Sequence, residues 1–129
     1  MKFAYTIVYV ADVAASLAFF EEAFGLTRRF LHDSGGYGEL DTGATALAFA
    51  SHAVAADSLG GEYVRADRSA LPLGLEVGLA CDDVPVAFAR AVGAGATAVK
   101  PPTVKPWGQT VAYVRCPDGT LVELCTPMG

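Results

Sequence analysis

The sequence predicts an α+β domain built from two copies of one β-α-β-β-β unit. Three observations carry that prediction. The chain is 129 residues long and 53% hydrophobic, enough for one domain with a real core and too apolar for a disordered chain. "LEVGLACDDV" (75–84) repeats "AYTIVYVADV" (4–13) at an offset of 71 residues, with Asp83-Val84 over Asp12-Val13. Each copy alternates β-branched, aromatic runs with a single segment of helical period.

The elements follow in order. "YTIVYV" (5–10) reads as a strand, and Asp12 as the N-cap of the helix after it. Val13, Leu17, Phe20 and Phe24 recur at intervals of four, three and four, one stripe of a helix that Gly25 should stop. Strands are then expected at "TRRFLH" (27–32), "YGEL" (37–40) and "TALAFA" (45–50), completing a first unit over 1–52. Residues 53–74, with Gly60-Gly61, scattered charges and Pro72, read as a long linker of the kind that is functional or mobile. The second unit, 75–129, opens on its own strand and continues with an alanine-rich helix (85–95) that has Pro85 in its first turn and Gly95 at its end. "TAVK", "QTVAYVR" and "TLVELC" give its last three strands, and the turn Cys116-Pro117-Asp118-Gly119 joins the final pair.

A net charge of −5 attracts neither nucleic acid nor an anionic membrane surface and favours cations instead. The three cysteines, Cys81, Cys116 and Cys125, are odd in number and show no CxxC pairing, so free thiols and a cytoplasmic location are expected. No apolar run reaches the roughly 18 residues of a membrane span. Asp12, Glu21 and Glu22 interrupt the apolar start, which reads as structure rather than as a signal peptide.

The opening pattern "V.D...S..FF...FGL" and the closing "PWGQTVAYVRCPDGTLVEL" make the chain similar to the vicinal oxygen chelate superfamily, which groups glyoxalase I, extradiol dioxygenases and bleomycin resistance proteins. Cys116 stands where Asp is usual in the closing "DPDG" turn, a change in a turn and not in a site. The resemblance implies that the two units form a curved sheet around a cavity and that the protein is a homodimer. It also implies four ligand positions for a divalent ion, on the first and last strand of each unit. These fall on Tyr5, Ala48, Glu76 and Glu123, so that only two are carboxylates. Transition ions favour three or four protein ligands including imidazole. No cofactor is therefore expected, and a divalent metal held by Glu76 and Glu123 is the alternative. His32 and His52 lie at no ligand position and read as solvated or hydrogen-bonded residues.

Strand alternation places Tyr5, Ile7 and Tyr9 on the cavity face with Ala46, Ala48 and Ala50, and opposite them Glu76, Gly78, Ala80, Leu121, Glu123 and Cys125. Small side chains there leave room for an organic ligand, unless Tyr5, Tyr9, Phe3 and Phe30 fill the space themselves. Two carboxylates on such a wall must share a proton, bind an ion or receive a cationic ligand, unless Glu76 sits at the wet rim or pairs with Arg28, Arg65 or Arg115. Trp107, on a proline-stiffened loop with Pro101, Pro102 and Pro106, reads either as a rim residue that stacks on the ligand or as a cap on the core. The expected ligand-binding set is thus Tyr5, Ile7, Tyr9, Ala48, Glu76, Trp107 and Glu123.

Two functions compete on this sequence. One is binding of a small, cationic organic molecule without chemistry, as bleomycin resistance proteins do. The other is a metal-dependent lyase, isomerase or dioxygenase using Glu76 and Glu123, with Glu123 the best candidate acid or base. A silent regulatory or assembly domain is a third, and a filled cavity would be its sign.

Overall fold

A computed structural model describes residues 1–128. β1 (Tyr5–Val10) leads to Asp12, whose Oδ1 accepts the Ala15 N–H at 3.0 Å and so caps α1 (Val13–Phe24). Gly25 ends that helix at φ 68°, a left-handed conformation that costs a residue without Cβ little. β2 (Thr27–Leu31), β3 (Tyr37–Asp41) and β4 (Ala46–Ser51) follow, and β4 returns to lie parallel to β1 in the order β1-β4-β3-β2. The second unit repeats the scheme. It runs β5 (Val77–Ala80), α3 (Val84–Ala94), β6 (Thr97–Val104), β7 (Thr110–Arg115) and β8 (Leu121–Cys125), in the order β5-β8-β7-β6.

α1 packs on the first sheet, α3 on the second, and the two helices pack on each other. A single core results, with Val10, Leu17, Phe20 and Phe49 from one unit meeting Val84, Ala91, Val114 and Leu124 from the other. Phe20 and Phe49 are wholly buried with rings 5.0 Å apart, and each such side chain contributes about 1.5–3 kcal/mol through burial alone. Two polar ties cross between the units. Ser16 Oγ donates to Asp118 Oδ2 at 2.8 Å, and Arg90 Nε donates to the Glu22 carbonyl at 2.8 Å.

Three expectations change, and one feature of the sheets is added. The segment 53–74 is not a plain linker: α2 (His52–Leu59) opens it, followed by a 3₁₀ turn at Ala66–Arg68. Ser51 Oγ caps α2 by accepting the Val54 N–H, and Gly60 closes it at φ 70°. Only Ala55 of this helix is buried, so the sequence carried almost no helical stripe to read. Next, Pro101 and Pro102 lie within β6 rather than in a loop. β6 is the outer strand of its sheet, where a missing N–H is tolerated, and its register shifts between Lys100 and Thr103. Glu76 precedes β5 instead of lying on it. Finally, among the described residues the two sheets are not hydrogen-bonded to each other, which leaves one edge of β1 and one edge of β5 unpaired.

Candidate functional site

Alternation along each strand divides the residues into a core face and an outer face. Val10, Leu47 and Phe49 enter the core from the first sheet, and Val122 and Leu124 from the second. Ile7, Ala48 and Glu39 share one row on the outer face of the first sheet, and Gly78, Glu123 and Tyr113 share the matching row of the second. A cavity of about 420 Å³ opens where β1 and β5 leave their sheets unjoined. Ile7 and Tyr9 line one side of it, Glu76, Val77 and Leu79 the other, and Tyr63, Val64 and Leu73 from the 53–74 segment complete it.

Glu76 is the carboxylate on that wall, and Glu123 adjoins it. Although the Glu76 side chain reaches solvent, its carboxyl is held above the usual carboxylate range, first by partial burial and then by the Glu123 carboxylate beside it. Tyr113 Oη donates to Glu123 Oε1 at 3.2 Å. Burial, followed by the charges of Glu123 and Glu76, pushes that phenol up as well. Gly78 leaves space over the pair, since a Cβ there would stand 3.7 Å from Glu123 Oε2. None of the arginines that could have neutralised Glu76 does so among the described residues. Arg28 pairs with Glu21 at 2.9 Å, Arg65 with Asp67 at 2.7 Å, and Arg115 donates to the carbonyls of Ala66, Ser69, Ala70 and Gly119. The acid pair is thus left to a proton or an outside cation.

The first sheet carries a counterpart. Tyr37 Oη donates to Glu39 Oε2 at 2.7 Å, and Arg29 approaches the same carboxylate at 3.7 Å. Burial and then Glu39 push Tyr37 up to about 12. Glu39 stands opposite Ala48 as Tyr113 stands opposite Glu123, so each unit presents one tyrosine bonded to one glutamate. Alternation applied to "YGEL" and "VAYVR", and not only to the first and last strands, would have found Tyr37, Glu39 and Tyr113.

Of the residues nominated from sequence, Ile7, Tyr9 and Glu76 line the cavity and Glu123 abuts it. Tyr5, Ala48 and Trp107 do not line it. Ala48 is 0% exposed and Ala50 4%, so neighbouring side chains close over two of the three alanines that were expected to leave room, and Ala46 alone of them lines the cavity. Tyr5 is half exposed. Trp107 is 65% exposed at the β6–β7 turn, its Nε1 donating to Gln109 Oε1 at 3.0 Å, so it neither rims this cavity nor caps the core.

The donor set does not fit a divalent transition ion. Ala48 offers no ligand atom and Tyr5 and Tyr113 offer only phenols. Among the described residues no three of His, Cys, Asp and Glu gather at one point.

His52 is hydrogen-bonded, as one of its two sequence readings had it, but to partners the sequence did not indicate. It starts α2 with its Nδ1 2.6 Å from Tyr63 Oη, and its Nε2 lies 3.6 Å from Asp67 Oδ1. Nothing short of the path of the 53–74 segment could have joined these residues.

The sequence matches the profile of the Glyoxalase/Bleomycin resistance protein/Dioxygenase superfamily over residues 2–124. No curated protein matches it. Among solved structures, a glyoxalase-related enzyme from Fulvimarina pelagi superposes with a TM-score of 0.83 at 21% identity, covering 100% of this chain and 93% of that one. A glyoxalase/bleomycin resistance protein/dioxygenase family enzyme from Burkholderia phytofirmans PsJN gives 0.79 at 20% identity over 99% and 100% of the two chains. The bleomycin resistance determinant encoded on transposon Tn5 gives 0.66 at 21% identity over the whole of both. At these identities the likeness carries the fold alone. No helix among the described residues is long and apolar enough to cross a membrane.

Proposed function

From the premise that this chain belongs to the Glyoxalase/Bleomycin resistance protein/Dioxygenase superfamily, we propose that it binds a small organic cation in the cavity between β1 and β5, as a homodimer and without a metal. The observation that carries the reading is the Glu76–Glu123 pair, two carboxylates brought together beside an apolar wall with, among the described residues, no arginine or lysine paired to either. A bound cation removes their mutual repulsion and replaces the water that the apolar part of the ligand displaces. Ile7, Leu79 and Leu73 receive the apolar body, and Tyr9 supplies an aromatic surface for the charge.

The test is thermal melting of chelator-treated protein. A panel of cationic aromatic amines is run beside Mg²⁺, Mn²⁺, Fe²⁺, Ni²⁺ and Zn²⁺, with Glu76→Gln and Glu123→Gln as the variants. A ligand at 100 times its Kd stabilises by about 2.7 kcal/mol, a shift of several degrees for a domain this size. The expected result is stabilisation by an amine that either substitution removes. Stabilisation by a divalent ion instead, lost in Glu123→Gln, would overturn the proposal in favour of a metal-dependent enzyme.

A further inference from the structure

The cavity has a second polar wall, remote in sequence from the glutamates. Tyr63 and Tyr9 both line it, with ring centroids 4.9 Å apart. Behind Tyr63 stands His52, stacked on its ring at 5.8 Å with Nδ1 2.6 Å from the phenol oxygen. The His52 side chain is 16% exposed, and its Nε2 is buried with no hydrogen-bond partner among the described residues. That nitrogen faces Asp67 Oδ1 at 3.6 Å. Asp67 is in turn fixed by two bonds from Arg65, at 3.0 and 2.7 Å. Neither local element needs this arrangement: Ser51 already caps α2, and Arg115 already ties the 3₁₀ turn to the second sheet. Partly burying three polar side chains costs stability unless they are used.

We propose that Tyr63, His52 and Asp67 form a proton-accepting relay that makes this wall of the cavity a site for the hydroxyl of a phenolic or enolic ligand. The inference rests on the reading of the cavity as a ligand site. In the relay the Asp67 carboxylate facing Nε2 holds the imidazole proton there, so that Nδ1 accepts the Tyr63 O–H. The phenol oxygen keeps its lone pairs as acceptors, and the group presented to it must be a donor. When a ligand O–H donates there, its proton passes to the Tyr63 oxygen while the Tyr63 proton passes to Nδ1. The ligand O–H bond breaks, an N–H bond forms, and the products are a ligand oxyanion and an imidazolium beside Asp67. The charged groups facing His52 are Asp67, Arg65 and Arg68. Burial first, and then Arg65, holds the imidazole below its ordinary range, so at neutral pH it is unprotonated and able to accept.

The probe is 4-nitrophenol, whose neutral and ionised forms absorb at different wavelengths. It is titrated into the intact protein below the pH at which the free probe ionises. The expected result is saturable binding with a phenolate-to-phenol ratio about tenfold higher in the native protein than in His52→Gln or Tyr63→Phe. An equal ratio in the variants overturns the relay and leaves the cavity standing as a binding site. Absence of saturable binding overturns the relay, while the reading of the cavity as a cation site stands or falls separately on the amine melting test. Imidazole ¹⁵N spectra of the native protein give a test that no variant's folding affects. The relay requires the His52 proton on Nε2, and a proton on Nδ1 at neutral pH overturns it.

Discussion

Glu76 is the residue whose ionisation the fold resists. Its carboxyl binds a proton more tightly in the folded chain than its ordinary value of 4.5 allows, because the wall partly buries it and Glu123 stands beside it. A raised carboxylate favours folding fully below that ordinary value, and the contribution is lost as pH rises through the folded one. Glu76→Gln should therefore raise the melting temperature at pH 7 and leave it unchanged below about pH 4, the unperturbed carboxylate range. The gain should not exceed about 1 kcal/mol, since water screens so open a side chain. Melting curves across pH 3–8 measure it, and a gain that persists at the acid end would place its origin elsewhere. The pair itself was legible because the resemblance puts one ligand position on the first strand and one on the last strand of the second unit, and these fall on Glu76 and Glu123. Tyr113 and Glu39 were within reach of the same alternation applied to the inner strands, whereas the His52–Tyr63 bond joins residues 11 apart through a segment with no period to follow.

Capped helices and β-branched strands were the legible elements, because each signal is local: Asp12 and Gly25 bound α1, and Asp83 and Gly95 bound α3. α2 was illegible because its outward face is mostly solvent, and β6 because its prolines, unremarkable on an outer strand, read as a break. Around the 3₁₀ turn a single side chain replaces what a strand would do with many bonds. Arg115 on β7 donates to the carbonyls of Ala66 at 2.7 Å, Ser69 at 2.8 Å and Ala70 at 3.3 Å, besides Gly119 at 3.3 Å. Gly119 meets the same strap on the other side, since a Cβ there would overlap the Ala66 carbonyl. Arg115→Ala should cost about 1.5–3 kcal/mol, the worth of charge-assisted bonds partly replaced by water. It should also release the 60–74 segment, seen as faster amide exchange there than in α1. Uniform acceleration across the chain would instead mean that Arg115 acts on global stability alone.

At the scale of the molecule, one core unites the two units while their sheets remain unjoined. Leu17 and Phe20 on α1 share that core with Val84 and Ala91 on α3, so neither unit keeps its own interior without the other. The outer faces are another matter. Phe3 is 74% exposed, Tyr5 53% and Phe30 40% on or beside the first sheet, and Val64 and Leu75, which line the cavity, are 70% and 62% exposed. Apolar side chains this open stand beside two unpaired strand edges, both of them features that favour contact with another chain. If the proposed homodimer forms, a second copy of this chain would cover Tyr5 and Phe30 and give the cavity an outer wall. Sedimentation equilibrium at micromolar concentration should then return twice the 13.4 kDa of one chain. Tyr5→Glu with Phe30→Glu should return the single mass with the fold retained, because both residues stand clear of the core, and a native protein that sediments as one chain would remove the dimer and leave the cavity open on that side.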